Sequence, residues 1–169
     1  MRALVVYESL WGNTERVAKA VAHGLEAAMT VELVDVDSAP QSLEDYDLVL
    51  VGGPTHAFSM SRVSTRHSAA TDKGVQSVPQ RGIREWLGSV RHVSRPIPAA
   101  SFDTRVASPR LPGSAARAAR HELRSLGLDT RAKPASFHVQ GYEGPLLDGE
   151  LDRAEQWAHG FLPSAAIRT

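Results

Sequence analysis

The sequence contains no cysteine. This absence excludes disulfide bonds, cysteine-ligated iron–sulfur clusters, thiolate nucleophiles and CxxC redox exchange from the chemistry of the chain. A redox role would therefore depend on a bound cofactor.

Long hydrophobic runs are also absent. The longest purely aliphatic stretches, such as residues 48–51, are far too short to cross a bilayer, so the sequence predicts no membrane span. Residues 1–7 contain one arginine and a brief apolar run that leads into a polar turn, without the apolar region and cleavage site of a signal peptide. We therefore expect a cytoplasmic protein.

Neither charge sign is in excess, since 19 lysine and arginine residues balance 19 aspartate and glutamate residues. No global field attracts nucleic acid, so no nucleic-acid partner is expected. Residues 58–95 are locally basic, with only Asp72 and Glu85 as acids, and a basic patch is predicted there. The 7 histidines include no pair at metal-ligand spacing on a predicted helix, so no metal site is predicted.

Apolar runs and helical stripes alternate along the 169 residues, a length that fits a single domain. The runs predict strands at residues 3–7, 31–34, 48–51, 99–106 and 135–139. Helical spacing of apolar residues predicts helices near residues 17–28, 83–90, 115–126 and 151–161. The alternation predicts an α/β fold, a three-layer, doubly wound sheet of five parallel strands.

Some finer features follow from the same pattern. Trp86 and Trp157 lie on apolar stripes and are predicted to pack in the core, and Gly127 is predicted to cap the third helix. Residues 58–82 show no clear periodicity and are predicted to form a long loop. A C-terminal tail is predicted from about residue 163.

A polar turn at residues 8–15 separates the first predicted strand from the first predicted helix. A helix N-terminus exposes unpaired N–H groups and a positive dipole end, and it can hold a phosphate without a basic side chain. Gly12 lets the backbone approach an anion, and Ser9, Asn13 and Thr14 add polar side chains. The alternative is that Asn13 or Thr14 only caps the helix.

Two motifs resemble those of a known family. The sequence SLWGNT at residues 9–14 resembles the (S/T)-x-x-G-N-T phosphate loop of the flavodoxin family. The sequence VGGPTH at residues 51–56 resembles the G-x-P-T loop that flavodoxin-like proteins wrap around the isoalloxazine ring. Strand spacing agrees over most of residues 1–163. The resemblance implies a flavodoxin-like fold with strand order 2-1-3-4-5 and FMN at the carboxyl edge of the sheet.

The resemblance also implies FMN-binding residues from three loops. Those expected at the phosphate are Ser9, Leu10, Trp11, Gly12, Asn13 and Thr14. Those expected to border the flavin ring are Pro54, Thr55, His56, Ala57 and Phe58, and those toward its pyrimidine side are Asp103, Thr104 and Arg105. No catalytic side chain is predicted, because the chemistry belongs to the cofactor. A positive charge at Arg105 near the ring would raise the two-electron potential of the flavin.

Two features differ from electron-carrier flavodoxins. The loop at residues 103–113 contains no aromatic residue, which leaves only Phe58, His56 and Trp11 to stack on the flavin and predicts an open ring face. The chain is also neutral, whereas those carriers are usually strongly acidic.

Three functions therefore stay open. The first is an FMN-binding redox protein that passes electrons between a reductase and an acceptor, and the second is an NAD(P)H-dependent FMN quinone reductase. The third is a flavin-free binding module. The expected partners are a redox protein or a small acceptor such as a quinone, with NAD(P)H as a candidate donor. An open flavin face is compatible with an oligomer.

Overall fold

A twisted parallel sheet forms the centre of the molecule in the computed structural model, which describes residues 1–72, 74–75 and 77–164. The described strands are β1 (Arg2–Tyr7), β2 (Thr30–Asp35), β3 (Leu48–His56), β4 (Ser59–Met60), β5 (Ala99–Val106) and β6 (Ala135–Val139). The described helices are α1 (Asn13–Leu25), α2 (Val63–Asp72), α3 (Ile83–Ser89), α4 (Ala115–Ser125) and α5 (Glu150–His159).

The strand order is β2-β1-β3-β5-β6, with every neighbouring pair parallel. This confirms the predicted order, since the short β4 only adds an antiparallel hairpin strand to β3. The carboxyl ends of β1, β3 and β5 therefore lie side by side at one edge of the sheet.

Two apolar clusters cover the two faces of the sheet. Because side chains alternate along a strand, Leu4 and Val6 of β1 join one cluster and Ala3 and Val5 join the other. Helices α3 and α4 complete the first cluster, and α1 and α5 complete the second. Both faces are therefore buried, which explains why the strands read as continuous apolar runs. In the described ranges, no helix is long and apolar enough to span a bilayer.

Helices α1 and α5 pack so closely that one position in α1 has no room for a side chain. A Cβ atom on Gly24 would lie 2.7 Å from the carbonyl oxygen of Glu155 and 3.0 Å from the Cβ of Ala158. This close approach explains a glycine in the interior of a helix, where glycine is otherwise unfavourable.

Other local predictions have mixed outcomes. Gly127 follows the end of α4 with φ +90°, and the amide of Leu128 donates to the carbonyl of Leu123, as expected for a helix cap. Trp86 is fully buried as predicted, whereas Trp157 packs against Phe102 and Phe161 but stays partly exposed. Most of the predicted tail, residues 165–169, lies outside the described residues.

The prediction of a long loop at residues 58–82 is wrong. The segment contains β4 and the ten-residue helix α2. Helix α2 buries only Arg66 and Ala69, so it lacks the apolar stripe by which a helix is recognised in sequence.

Part of the predicted basic patch at residues 58–95 does not form, because several of its arginines are committed to internal contacts. Arg66 is buried, and its guanidinium donates to Glu85. Arg81 donates to the carbonyls of Val36 and Ala39, and Arg84 donates to that of Met60. Lys73 lies outside the described residues.

Candidate functional site

The turn between β1 and α1 presents a row of backbone amides. Gly12 is the N-cap of α1 and has left-handed backbone angles, φ +87° and ψ −6°, which favour glycine. The amide of Gly12 donates to the Oγ of Ser9 over 3.1 Å. Among the described residues, the amides of Leu10, Trp11, Asn13 and Thr14 donate to no protein atom. The turn can therefore offer several donors to an anion.

Two side chains of α1 tie this turn to neighbouring segments. The hydroxyl oxygens of Thr14 and Thr104 lie 2.7 Å apart, so α1 is joined to β5 inside the protein. The Nδ2 of Asn13 donates to the carbonyl of Glu143 over 3.0 Å, which holds the loop after β6 beside the turn. Both side chains have protein partners and act in positioning the turn.

The β3–β4 hairpin turns through Ala57 and Phe58, both of which have positive φ, 46° and 70°. A two-residue hairpin with positive φ at both positions normally uses asparagine and glycine, so alanine and phenylalanine are strained here. Strained backbone residues of this kind cluster at functional sites. Phe58 is half exposed, and its ring is available to a ligand.

The loops meet around a cavity of about 550 Å³. Its walls include Trp11 after β1, His56 and Phe58 at the hairpin, Arg105 at the end of β5, and Tyr142 in the loop after β6. A much smaller cavity of about 50 Å³ adjoins it between the Ser9–Thr14 turn, Pro54 and Thr104. The structure thus brings the three predicted loops together.

Tyr142 is a site residue that the sequence analysis missed. It lines both cavities and is exposed, and it supplies an aromatic ring in addition to Trp11 and Phe58. The signal that could have found it is its place in the loop after the last parallel strand, whose carboxyl end lies at the same edge of the sheet.

His56 has an electrostatic environment that keeps it neutral. Burial, with a smaller contribution from the charge of Arg66, lowers the pKa of the imidazole from 6.5 to about 4. Its ring centroid lies 6.3 Å from that of Trp11, with the two planes tilted at 49°. The imidazole therefore adds an uncharged aromatic ring to the cavity wall at neutral pH.

Asp103 lies behind the cavity wall and not in it. Its Oδ2 accepts hydrogen bonds of 3.0 Å from the hydroxyl of Thr55 and from the amide of Ala116. The Thr55 hydroxyl in turn accepts a hydrogen bond of 3.0 Å from the amide of Ala115. Within the described part of the chain, the buried Oδ1 of Asp103 has no hydrogen-bond partner. Asp103 thus fixes Thr55 and the start of α4.

Arg105 stands at the cavity rim. Its Nη1 donates to the carbonyl of Gly113 over 2.9 Å, and its Nη2 donates to the carbonyl of Leu111. The guanidinium therefore fastens the loop after β5 while its charge borders the cavity.

A buried polar cluster links the segments that surround the site. The Ser61 hydroxyl donates to Oε1 of Glu8, the Ile83 amide donates to Oε2 of Glu8, and the Arg66 Nη1 donates to the Ser61 hydroxyl. Burial is the main cause that raises the pKa of Glu8 above 4.5. Since Glu8 follows β1 directly, the cluster ties the hairpin and α2 to the strand that leads into the amide-rich turn.

A sequence comparison identifies a related family. The family model described as flavodoxin matches residues 5–80, which include both sequence motifs. No curated protein sequence matches the chain.

Comparison with solved structures agrees with this family. Oxidised flavodoxin 1 from Bacillus cereus superimposes with a TM-score of 0.69 at 17% identity, over 96% of this chain and 100% of that one. A flavodoxin from the domain Archaea gives 0.63 at 17% identity, with 95% of each chain covered. The flavodiiron protein from Giardia intestinalis gives 0.60 at 20% identity, over 98% of this chain but 36% of that one.

At these identities the structural likeness shows the fold alone. Together with the family-model match, it supports the flavodoxin family, and the resemblance predicted from the sequence is confirmed.

Proposed function

We propose that this flavodoxin-like protein binds FMN and passes electrons between a reductase and an acceptor. The observation that carries the proposal is the meeting of three loops at one sheet edge, where an amide-rich turn adjoins an aromatic-walled cavity of about 550 Å³. Ligands of open parallel sheets bind at this edge.

The turn after β1 fits a phosphate. Four amides have no protein acceptor among the described residues, and a Cβ on Gly12 would meet no atom within 4 Å, so the backbone is open to a ligand. The positive end of the α1 dipole adds to the amide donors. Ser9, Gly12, Asn13 and Thr14 would hold the phosphate, together with the amides of Leu10 and Trp11.

The larger cavity fits a planar ring system. Its volume lies in the range of small-molecule sites, and Trp11, Phe58 and Tyr142 supply flat apolar surfaces. The neutral His56 and the neighbouring Pro54, Thr55 and Ala57 would border the ring, with Thr104 and Arg105 on the far side. When bound, FMN supplies one- and two-electron redox chemistry, and the protein orients the ring and limits its contact with water. Asp103 acts through Thr55 as a positioning residue.

The test is an absorption spectrum of the purified chain before and after FMN is added, followed by a titration of the apoprotein. Gly12→Asp should weaken FMN binding by at least about tenfold, because a carboxylate beside the phosphate removes about 1.4 kcal/mol or more. Gly149→Asp is the matched control, since Gly149 caps α5 with nearly the same angles, φ +83° and ψ −5°. A chain that ignores FMN, or equal affinity in Gly12→Asp, would refute the proposal.

The quinone-reductase function is the second candidate, and one observation favours it. The cavity continues from the hairpin to Ala69 of α2, to Val106 at the end of β5 and to Leu111 in the loop that follows, which leaves apolar space beside the proposed ring position. Steady NAD(P)H oxidation by the pure, FMN-loaded protein in the presence of a quinone would support this function. Electron exchange only with redox proteins would support the carrier function.

A further inference from the structure

Helix α4 carries a stripe of arginines that face a second cavity. Arg117, Arg120 and Arg124 have the three- and four-residue spacing that places side chains on one helix face. They line a cavity of about 580 Å³ together with Arg105, His121 and Lys133. The remaining lining residues are Ser114, Pro134 and Ser136, so no acidic side chain contributes to its wall.

Two of these arginines are held side by side by a single residue. The Nε of Arg120 donates to the carbonyl of Thr130 over 2.9 Å, and the Nε of Arg124 donates to the Oγ1 of Thr130 over 3.2 Å. Thr130 is itself buried, so this anchor is fixed. The terminal nitrogens of both guanidiniums donate to no atom of the described residues.

The positive charges around the cavity lack compensation. Within the described ranges, no carboxylate forms an ion pair with Arg105, Arg117, Arg120, Arg124 or Lys133. The nearby Asp129 is engaged by Arg131 over 2.6 Å and does not neutralise them. Two like charges held on one anchor repel each other, and an anion between them would relieve that repulsion.

We propose that this cavity binds the phosphoryl groups of a small phosphate-bearing molecule. A guanidinium presents a planar fork that matches phosphate oxygens, and two forks already fixed at Thr130 lose little side-chain freedom when an anion binds. A concave site of this volume suits a small ligand better than the flat face of an acidic protein.

The site is distinct from the proposed FMN phosphate turn but borders the same residue as the flavin cavity. Arg105 lines both this cavity and the proposed flavin cavity, so a phosphorylated ligand held by Arg120 and Arg124 lies next to the rim of the proposed flavin site. The phosphate chemistry is shared by inorganic pyrophosphate and by nucleotides. The anion site itself does not depend on FMN binding.

Calorimetric titration with inorganic pyrophosphate tests the proposal. The full-length Gly12→Asp variant is used so that the turn after β1 does not take the probe, and the FMN-saturated parent is titrated in parallel. Saturable binding is expected in both proteins. If the parent loses pyrophosphate binding when FMN is added, and Gly12→Asp binds no pyrophosphate, the probe occupies the turn after β1. That result would overturn this inference and leave the FMN proposal intact.

Variants then locate the probe. Arg120→Gln/Arg124→Gln should weaken pyrophosphate binding by at least about tenfold, since two charge-assisted contacts are removed. Arg2→Gln/Arg95→Gln removes the same charge at ion-paired positions elsewhere and should leave affinity unchanged. Thr130→Val keeps both charges but removes the Oγ1 anchor of Arg124, and should weaken binding severalfold.

Two further probes distinguish the source of the anion. Tighter binding of 2′,5′-ADP than of pyrophosphate assigns the site to a nucleotide, and tighter binding of pyrophosphate assigns it to an inorganic anion. Either result supports the proposal that the cavity binds phosphoryl groups. Binding of a polyglutamate peptide without binding of pyrophosphate would instead make this face a docking surface for an acidic protein, which overturns the inference. Equal pyrophosphate affinity in Arg120→Gln/Arg124→Gln would overturn it as well.

Discussion

Arg66 and Glu8 form a buried ion pair, with the Nη1 of Arg66 3.8 Å from the Oε1 of Glu8 and side chains only 3% and 1% exposed. Ser61 bridges the two, and Arg66 also pairs with Glu85 over 2.6 Å. A buried charge is tolerated only when it is paired and hydrogen-bonded, so this cluster depends on all of its members.

Replacement of Arg66 should therefore destabilise the protein strongly. Arg66→Met leaves the Glu8 carboxylate buried without its cation, and we expect the free energy of unfolding to fall by about 3–5 kcal/mol. Urea unfolding measures the change. Arg62→Met, at an exposed position in the same segment, is the control. The double variant Glu8→Gln/Arg66→Met should recover part of the loss, and equal unfolding midpoints for Arg66→Met and the parent would contradict the ion-pair account.

His56 should make stability depend on pH. Because burial lowers the pKa of His56 from 6.5 to about 4, the unfolded chain binds more protons between these values, and stability rises with pH across that window. The contribution, present above pH 6.5 and lost as pH falls toward 4, amounts to about 3 kcal/mol.

Urea unfolding at several pH values tests this dependence. His56→Gln should flatten the rise relative to the parent, while His67→Gln at an exposed position of α2 should not. Burial raises the pKa of Glu8, so the contribution of Glu8 to stability falls as pH rises above 4.5. This effect is opposite to that of His56. Because it is present in the parent and in both variants, it cancels in the comparison. If the free energy of unfolding of the parent and of His56→Gln changes in parallel with pH, the buried imidazole is ruled out as the cause of the pH dependence.

Two helical glycines should respond in opposite ways to alanine substitution, because Gly24 lies in the contact between α1 and α5 and Gly88 of α3 does not. Gly24→Ala places a Cβ against a backbone carbonyl that cannot move aside, and should lower the free energy of unfolding by about 1–3 kcal/mol. Gly88→Ala in α3 meets no atom within 4 Å and should raise it by about 0.5–1 kcal/mol. Thermal unfolding of both variants measures the difference, and stabilisation by Gly24→Ala would show that the helices do not pack as described.

Arg105 should tune the flavin if FMN occupies the proposed site. Its positive charge favours the more negative, reduced cofactor, so Arg105→Ala should lower the two-electron midpoint potential by an amount on the order of 30 mV, or about 1.4 kcal/mol. Redox titration of the FMN-loaded protein measures the potential. Arg110→Ala, at an exposed position in the same loop, should leave it unchanged, and an unchanged potential in Arg105→Ala would place that charge away from the ring.

The strands and the turn after β1 could be predicted because their signals are local, whereas the strand order was implied by the family resemblance. Apolar runs mark strands that are covered on both faces, and Gly12 marks a backbone position that needs positive φ. The same local logic failed for α2, whose buried face is built around Arg66 instead of an apolar stripe. It also missed Tyr142, which reaches the site only because β6 ends at the same sheet edge.

The α/β architecture and the placement of the amide-rich turn follow from the sequence alone, since short-range periodicity and turn chemistry suffice for both. The environments of the arginines depend instead on the tertiary structure. Arg66 is buried because Glu8 and Glu85 converge on it from distant segments, while Arg120 and Arg124 meet at Thr130, where no carboxylate of the described residues pairs with them. The environment of a charge depends on partners far along the chain, and one-dimensional spacing does not contain that information.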